Sequence, residues 1–392
     1  MHRTRPDRTP RAPRRLLFTN EHAGIGGGEL ALLAHVRFAL ARGDSCHVVL
    51  LADGPFVERL RREGARVEVL PFAWQGSKAR SLRLLARLAA HIWRLIRRHG
   101  IDHVVCYTFT DFFVAAVAAR AAGVPVLFRT QADVFPAGAD RPSTWLGPLF
   151  RPFVRATEAR LACTTAGEAQ RMVALGVPAH RVHTVYLGID AAAVDGAPAA
   201  ALPGIQRPLI GIFGRLARWK GQAVFLRALG ALARDGIEFD AVVVGGSSFG
   251  DGSGYERELH ELAAALGLAE RVRFLGHRDD VYAIMKRCDI VCHCSQREPF
   301  GLVVVEAMMA GKPVVASDVS GPREIVEPDV DGFLVPPDEP QQLAAVLARL
   351  LGDAALRQRI GARARDKALR VFEAQARLGE IEALMGERAA RR

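Results

Sequence analysis

The sequence predicts an α/β protein made of two doubly wound, parallel-sheet domains. Short apolar segments alternate with helical patterns through both halves of the 392 residues, which is typical of parallel sheets covered by helices on both faces. Between the two series, residues 190–208 are rich in Ala, Gly and Pro and lack apolar periodicity, as interdomain linkers do. The length also suits two or three domains, each able to bury its own core.

The first series of patterns predicts a domain over residues 15–190. Six arginines lie among prolines in the first fifteen residues, so residues 1–14 are expected to form a disordered basic arm. The predicted strands of this domain are 15–19, 46–51, 67–70, 103–106, 126–129, 162–165 and 182–185. The predicted helices are 29–42, 55–63, 81–99, 111–122 and one that ends near residue 176.

A linker over residues 191–208 leads to a second predicted domain over residues 209–370. Its strands are expected at 209–213, 241–244, 272–275 and 290–294, with a further apolar strand after Gly311-Lys312-Pro313. Its helices are expected at 222–234, 255–266, 280–288, 339–351 and from 354 onward, with a short helical run around Glu306. Ligands of such domains bind at the carboxyl ends of the strands, so the space between the two domains is the expected site.

Composition excludes several classes of protein. No apolar stretch of about 18 residues exists, so no transmembrane helix is predicted, and Leu16–Thr19 is too short for the apolar core of a signal peptide. We therefore expect a cytoplasmic chain. The net charge is +11, but no basic stripe interleaved with aromatic residues and no nucleic-acid-binding motif is present, so nucleic acid is not the expected partner.

Three of the six cysteines cluster as Cys288, Cys292 and Cys294. In an extended strand Cys292 and Cys294 share one face and His293 points to the other. No second Cys/His pair stands at zinc spacing. We interpret the cluster as a structural strand and expect no metal site.

The segment Ser77–Gly100 has seven basic residues, no acidic residue, and Leu, Ile and Trp at helical spacing. This pattern predicts a crossover helix whose apolar face packs on the sheet and whose arginines face solvent. A basic amphipathic helix also suits an anionic membrane surface. Both interpretations stay open, with a peripheral position on the inner face of the membrane as the alternative to a purely cytoplasmic one.

The first domain begins with a glycine-rich loop that contains Gly26, Gly27 and Gly28. The loop follows a strand and opens a helix, as in dinucleotide-binding proteins, and Asp53 ends the next strand. The third glycine of that motif is replaced by Glu29, so the dinucleotide interpretation is rejected. We expect a turn where the backbone approaches a ligand, with helix-start amides able to meet an anion.

The second domain begins with a loop that carries two cations, Arg215 and Lys220, between Gly214 and Gly221. An arginine offers a planar fork and a lysine a mobile point charge, and both suit a diphosphate. Such a pair neutralises a departing nucleoside diphosphate without a metal ion. The alternative is a solvated basic loop.

Two glutamates eight residues apart, Glu298 and Glu306, decide between these interpretations. Glu298 lies before a Pro-Phe-Gly turn, and Glu306 lies one or two turns into the apolar helix that follows. Carboxylates accept hydrogen bonds from vicinal hydroxyls, and a buried carboxylate needs a partner. We expect the glutamates to bind the sugar and ribose hydroxyls of a nucleotide sugar, and the two cations, at the other end of the same domain, to bind its diphosphate.

These segments resemble GT4-type retaining glycosyltransferases. The run from Glu298-Pro-Phe-Gly301 through Glu306-Ala-Met is similar to the E-x7-E motif of that family, and the similarity continues through Gly311–Ser317, Gly321–Val326 and Asp331–Val335. Gly214-Arg-Leu with Lys220-Gly resembles its phosphate-binding loop. Gly188-Ile-Asp190 and Gly26–Glu29 resemble two shorter family signatures, so the likeness spans nearly the whole chain.

The resemblance implies the GT-B fold, with two Rossmann-like domains facing across a cleft and a C-terminal helix, residues 371–392, crossing back toward the first. It implies a hexosyltransferase that moves a sugar from a UDP- or GDP-linked donor with retained configuration and no required metal or cofactor. The implied catalytic residues are Glu298, Arg215 and Lys220. The implied donor-binding residues are Glu306, Phe300, Gly301, Leu302, Gly214 and Gly245.

The acceptor side departs from the family pattern. Many members carry a His after the fifth strand, whereas the loop here reads Arg129-Thr-Gln-Ala-Asp133. Gln131 and Asp133, with Gly26–Gly28, are therefore only candidates. The expected acceptor is a glycan or a lipid-linked molecule in cell-surface polysaccharide or glycolipid biosynthesis. The alternatives are another GT-B enzyme, such as a nucleotide-sugar 2-epimerase or a phosphorylase, and a catalytically silent nucleotide-sugar-binding protein.

Overall fold

A computed structural model describes residues 12–72, 78–130, 150–246 and 252–386, which form two compact units. The first unit runs to Cys163 and adds Ala169–Thr184 and the residues from Ile381 onward. The second unit comprises Thr164–Glu168 and Val185–Glu380. Each unit contains one parallel sheet with helices around it, so the predicted fold class is confirmed.

The first unit contains a seven-stranded parallel sheet of order β3-β2-β1-β4-β5-β6-β7. Two of its strands, Arg15–Asn20 and Ser45–Leu50, are buried on both faces except at their first residue, as is typical of parallel strands inside a sheet. The strands are β1 (Arg15–Asn20), β2 (Ser45–Leu50), β3 (Arg66–Val69), β4 (His103–Cys106), β5 (Val126–Arg129), β6 (Arg160–Cys163) and β7 (Val182–Thr184). The helices are α1 (Gly27–Ala41), α2 (Pro55–Arg62), α3 (Lys78–His99), α4 (Phe109–Ala122), α5 (Phe150–Thr157) and α6 (Ala166–Ala174). The first three residues of α6 belong to the second unit.

The second unit contains a six-stranded parallel sheet of order β10-β9-β8-β11-β12-β13. The strands are β8 (Leu209–Phe213), β9 (Asp240–Val244), β10 (Val272–Gly276), β11 (Ile290–His293), β12 (Val314–Ser317) and β13 (Phe333–Val335). The helices are α7 (Ala191–Gly196), α8 (Gln222–Arg234), α9 (Gly252–Ala265), α10 (Val281–Arg287), α11 (Leu302–Met309), α12 (Ser320–Ile325), α13 (Pro340–Gly352), α14 (Ala354–Val371) and α15 (Ala374–Gly386). Helix α15 contributes its residues from Ile381 onward to the first unit.

The strand order of the second sheet reverses between β8 and β11. The two strands pair in parallel, with Cys292 opposite Ile212, so their carboxyl ends lie side by side. The loops that follow them therefore begin next to each other although they are far apart in the chain. Open α/β sheets bind ligands at such a switch point.

The predicted linker at residues 191–208 is wrong in part, because the structure fixes its first half on the second unit. Helix α7 begins at the side chain of Asp190, which accepts hydrogen bonds from the backbone N–H groups of Ala192 and Ala193. The guanidinium of Arg365 pairs with Asp195 at 2.7 Å. A short helix held by its cap and one ion pair has too few apolar residues to show a period.

The predicted disordered arm also ends too late. Arg14 is buried, and its backbone N–H donates to the carboxylate of Asp44 at 2.7 Å. Its guanidinium pairs with Glu382 of α15. A charged group at the end of a basic, Pro-rich run is thus held by two distant carboxylates, which the local sequence does not reveal. Residues 1–11 lie outside the described part of the chain.

The described helices include none that is both long and apolar enough to cross a membrane.

The core of the first unit depends on stacked phenylalanines. The rings of Phe112 in α4 and Phe128 in β5 stack 4.4 Å apart, and both side chains are fully buried. Truncating Phe112 to Ala should therefore destabilise the protein by about 3–5 kcal/mol, because it removes a large buried side chain and leaves a cavity. Urea denaturation measures this loss.

Val117 provides the matched control, because it lies on the same helix and is 47% exposed. Val117→Ala should change the free energy of unfolding by about 0.5 kcal/mol or less. Equal losses for the two substitutions would contradict this description of the core.

Candidate functional site

Two glycines lie backbone against backbone at the carboxyl ends of β8 and β9. Gly214 donates its N–H to the carbonyl of Val244 at 2.9 Å. A Cβ at Gly245 would lie only 2.0 Å from the carbonyl oxygen of Gly214, and the φ of Gly245 is +143°. Only glycine fits this approach, because L side chains disfavour positive φ and the space is occupied.

A third glycine fixes the cationic loop against the end of β11. Gly221 has a φ of +74°, and a Cβ there would lie 2.0 Å from the carbonyl oxygen of Cys294. The carbonyl of Trp219 accepts a hydrogen bond from the N–H of Gln296 at 2.8 Å. The loop after β8 and the loop after β11 are thus held together by their backbones, and their side chains meet.

The centre of the site is an ion pair between these two loops. The ammonium of Lys220 lies 2.6 Å from Oε2 of Glu298, and Nε2 of His293 lies 3.2 Å from the same oxygen. The Lys220 side chain is 20% exposed, that of Glu298 13% and that of His293 3%. A mostly buried carboxylate therefore has two donors on one oxygen, which compensates for its lost hydration.

These contacts decide the charge of Glu298. Burial alone would raise the pKa of its carboxyl, but the hydrogen bond from His293 and the positive charge of Lys220 lower the pKa to about 2. Glu298 is therefore ionised across the physiological range. An ionised carboxylate accepts hydrogen bonds and donates none, which suits hydroxyl groups.

His293 reaches Glu298 because of strand alternation. Cys292 and Cys294 belong to the hydrophobic core on one side of the sheet, and His293 between them points to the other side. Within the described residues Nδ1 of His293 is buried and has no hydrogen-bond partner. The strand thus places the imidazole of His293 against the loop that follows it.

Three cationic side chains of the site lie around the indole ring of Trp219. The ammonium of Lys220 lies 4.4 Å from the ring centroid of Trp219, and the guanidinium carbons of Arg297 and Arg215 lie 5.5 Å and 5.9 Å from it. The π face attracts cations and tolerates several around one ring. Three positive charges are thereby concentrated at the carboxyl end of β8, where an anionic ligand would be attracted.

The Pro-Phe-Gly turn is fixed by close packing against α12. The N–H of Gly321 donates to the carbonyl of Glu298 at 3.0 Å, and a Cβ at Gly321 would lie 2.0 Å from the carbonyl oxygen of Phe300. The Phe300 ring is buried against Tyr186 and Phe372. Phe300 can therefore offer a ligand only its backbone. Gly301, with a φ of +102°, starts helix α11 at Leu302.

Glu306 lies within α11, one turn after its start, and is half-buried. Its Oε1 lies 3.5 Å from the hydroxyl of Tyr282. Burial raises the pKa of the Glu306 carboxyl to about 7, although the Tyr282 hydroxyl partly opposes the shift. The pKa values of the two glutamates thus differ, because Glu298 has cationic and N–H donors, whereas Glu306 has a single, distant hydroxyl among the described residues.

The structure brings the candidates of the second unit to one end of its sheet. Lys220 and Glu298 are in direct contact, which is closer than their expected positions at opposite ends of the domain. Gly26, Gly27 and Gly28 lie at the start of α1 in the first unit. Gln131 and Asp133 lie outside the described residues.

Three contributors were missed by the sequence analysis. His293 was interpreted only as a residue that interrupts a cysteine cluster, although the two-residue period and its distance of five residues from Glu298 could have indicated it. Tyr282 and Trp219 gave no signal, because their contacts depend on the order of the strands. Within the described residues no group of three His, Cys, Asp or Glu side chains is arranged to hold a metal ion.

The raised pKa of Glu306 predicts how stability depends on pH. The ordinary pKa is 4.5 and the folded value is about 7, so the folded chain holds this proton more tightly than the unfolded chain. Glu306 therefore destabilises the fold increasingly as pH rises between these values. The Tm of Glu306→Gln relative to wild type should increase from about pH 5 to about pH 8, because Gln does not ionise.

Glu298→Gln is the control, because the pKa of Glu298 is lowered to about 2. Its carboxylate stabilises the fold above its ordinary pKa, and this contribution disappears only as pH falls toward 2. The Tm difference of this variant should stay constant over the same window. A constant difference for Glu306→Gln as well would contradict the assignment.

Two family models match this chain. The model described as "Glycosyl transferase 4-like domain" matches residues 26–188, and the model described as "Glycosyl transferases group 1" matches residues 202–367. Together they span most of the chain, one in each half.

Curated relatives include D-inositol 3-phosphate glycosyltransferases. That of Nocardia farcinica is 36% identical over 217 residues, which are 52% of this chain and 48% of the relative. That of Salinispora tropica is 37% identical over 241 residues, which are 56% and 49% of the two chains. The chain thus spans about half the length of the curated relatives it matches.

Solved structures give the same result for the fold. Anabaena HepE, determined in complex with UDP and glucose, has a TM-score of 0.78 and 28% identity, covering 95% of this chain and 99% of its own. The lipopolysaccharide glycosyltransferase WaaG has a TM-score of 0.69 at 20% identity, covering 95% and 100%. The two family models and the shared two-domain fold lead to one conclusion: the chain belongs to the group 1 glycosyltransferases with the GT-B fold.

Proposed function

We propose that the protein is a retaining glycosyltransferase that moves a sugar from a UDP- or GDP-linked donor to a glycan or a lipid-linked acceptor. The contact of Lys220 with Glu298 supports this proposal most directly. It joins a loop rich in cations to a loop with an ionised carboxylate at the switch point of one sheet. A nucleotide sugar needs these two chemistries within a few ångströms, because its diphosphate is bonded directly to its sugar.

In this proposal Lys220 and Arg215 bind the diphosphate, and Gly214 and Gly245 keep the backbone close enough to approach it. Lys220 is a point charge with three donors and Arg215 a planar fork, so together they neutralise a leaving diphosphate without a metal ion. The complexes of HepE with UDP and with UDP-glucose support a nucleotide-sugar donor and favour UDP over GDP.

The two glutamates divide the hydroxyl groups of the donor between them. Glu298 is ionised and lies beside Lys220, so it accepts hydrogen bonds from the transferred sugar. Glu306 lies further along α11 and binds the ribose, whose two hydroxyls suit a carboxylate. The backbone of Phe300, Gly301 and Leu302 adds contacts at the start of the helix.

The proposed chemistry is a same-face substitution at the anomeric carbon. The bond between this carbon and the diphosphate oxygen breaks, and the acceptor hydroxyl oxygen forms a new bond on the same face. The leaving diphosphate oxygen takes the proton of that hydroxyl, so no other base is required. The Lys220 and Arg215 charges stabilise the negative charge that develops on the diphosphate, which lowers the barrier.

The exposed face of one helix of the first unit supports our proposal for the acceptor. Helix α3 buries Leu88, Ile92 and Leu95 in the core. Its opposite face carries exposed Leu82 and Trp93. This face is flanked by exposed arginines, namely Arg83, Arg87, Arg94, Arg97 and Arg98.

Apolar side chains among arginines, with no acidic residue in the helix, complement an anionic lipid surface. We therefore assign a peripheral position on an anionic membrane and an acceptor that is lipid-linked or lies at that membrane, as in the synthesis of surface polysaccharides or glycolipids.

The donor assignment predicts how Lys220 contributes to affinity. A panel of nucleoside diphosphates and their sugars, screened by thermal shift and calorimetry, should contain a ligand of wild type, with UDP or GDP as the common part. Lys220→Met should weaken nucleoside diphosphate binding by about tenfold or more, because it removes a charge-assisted contact. The affinity for the free nucleoside should change little.

Arg218→Met is the matched control for this experiment. Arg218 lies in the same turn as Lys220, but its side chain is 71% exposed and pairs with Glu258. Its replacement should leave nucleoside diphosphate affinity nearly unchanged. Binding of no member of the panel, or equal losses for nucleoside and nucleoside diphosphate in Lys220→Met, would refute the donor site.

The membrane assignment predicts binding to vesicles that contain anionic lipid, and weaker binding at high salt. Trp93→Ser and Leu82→Ser should each lower the partition coefficient several-fold, because they remove apolar area from the lipid-facing side of α3. Sedimentation with vesicles measures this change.

Val117→Ser is the control for vesicle binding, because Val117 is an exposed apolar residue of the same unit on α4, a helix with one basic residue against the seven of α3. This variant should bind vesicles as wild type does. Equal binding to neutral and anionic vesicles, or no binding to either, would overturn the membrane assignment and leave the donor site unaffected.

A further inference from the structure

The Lys220–Glu298 pair poses a problem for the proposed function. The same ammonium neutralises the sugar-binding carboxylate and is required by the donor's diphosphate. We propose that His293 is a positioning residue that holds the Glu298 carboxylate in its sugar-binding orientation while Lys220 contacts the diphosphate. This inference rests on the proposed donor site and adds a residue and a role to it.

Lys220 alone is a poor anchor for the carboxylate. It lies in a short turn rather than in the sheet, and its ammonium is also placed over the ring of Trp219 at 4.4 Å. A diphosphate carries more negative charge than a carboxylate and competes for the three donors of the ammonium. When the donor binds, the ion pair between Lys220 and Glu298 therefore weakens, although the sugar then needs the carboxylate in a fixed position.

His293 has the rigidity that Lys220 lacks. It ends β11, which lies between β8 and β12 in the sheet, and its backbone is in register with Ala316 of β12. Its side chain is 3% exposed. The imidazole therefore has little freedom where it meets the carboxylate.

The contact also fixes which oxygen of Glu298 faces a ligand. Nε2 of His293 and Nζ of Lys220 both approach Oε2, so Oε1 is left to accept a hydrogen bond from a sugar hydroxyl. A carboxylate has no proton to give, so Nε2 must carry the hydrogen. Nδ1 of His293 is buried and has no partner among the described residues, so the imidazole acts on the carboxylate through Nε2 alone.

Three substitutions of His293 separate a donor role from a packing role. His293→Gln keeps an N–H donor at about the reach of Nε2. His293→Asn has the same amide on a shorter side chain that does not reach Oε2, and His293→Met fills the space without a donor.

The Met and Asn variants should lower kcat/KM for the nucleotide sugar by about ten- to a hundredfold, the range for a lost hydrogen bond to a charged group. The Gln variant should keep activity within about threefold of wild type, because its donor remains. Nucleoside diphosphate affinity should stay within about twofold in all three, because the sugar is absent from that ligand.

A second measurement shows whether His293 acts through Glu298. The readout is the ratio of nucleotide-sugar affinity to nucleoside diphosphate affinity, determined by calorimetry. In wild type, His293→Met should lower this ratio. In a Glu298→Ala background the same substitution should lower it no further, because the carboxylate that His293 positions is gone.

Three results would overturn the inference while the proposed function stands. The first is a wild-type kcat/KM for both His293→Met and His293→Asn. The second is an equal loss for the Gln, Asn and Met variants, and the third is an equal further loss in the Glu298→Ala background. Either of the last two would show that the imidazole only fills space. A wild-type protein that binds no nucleoside diphosphate at all would instead refute the donor site.

Discussion

The site depends on one constraint, that a carboxylate in a mostly buried place must have donors. Glu298 satisfies this with an ammonium from one loop and an imidazole from the strand before its own loop. The two contacts keep the carboxylate ionised and hold the two loops at the switch point of the sheet in contact. The side chains that stabilise this site are those that we propose for donor binding, so in this proposal stability and binding depend on the same charges.

Glycine makes this contact geometrically possible. Gly245 lies against Gly214, Gly221 against the end of β11, and Gly321 against the Pro-Phe-Gly turn, each at a distance that a Cβ would not allow. The loops can therefore approach each other by their backbones, and only their polar side chains occupy the remaining space. Glu306, which has no comparable donors, shows the contrast through its raised pKa.

Local pattern was enough for the fold class and for several elements, including β4 and β5 at their observed bounds. The same pattern did not predict helix α7 within residues 191–208, because this helix has no apolar period and is fixed by the Asp190 cap and an ion pair. The Lys220–Glu298 contact joins residues 78 positions apart, so the motifs indicated both side chains but only the strand order brought them together. The two-residue period of a strand indicates that His293 points away from the two cysteines. Only the structure shows that this side of the strand faces the loop of Glu298.

We propose that the carboxyl ends of β8 and β11 form the donor site, with Lys220 shared between phosphate and carboxylate. A crystal structure with an intact nucleotide sugar tests this proposal most directly. We expect a diphosphate oxygen within about 3 Å of the Lys220 ammonium, a sugar hydroxyl at a similar distance from Oε1 of Glu298, and an unbroken contact from His293 to Oε2. A donor bound elsewhere, or a Glu298 carboxylate that touches no sugar hydroxyl, would contradict it.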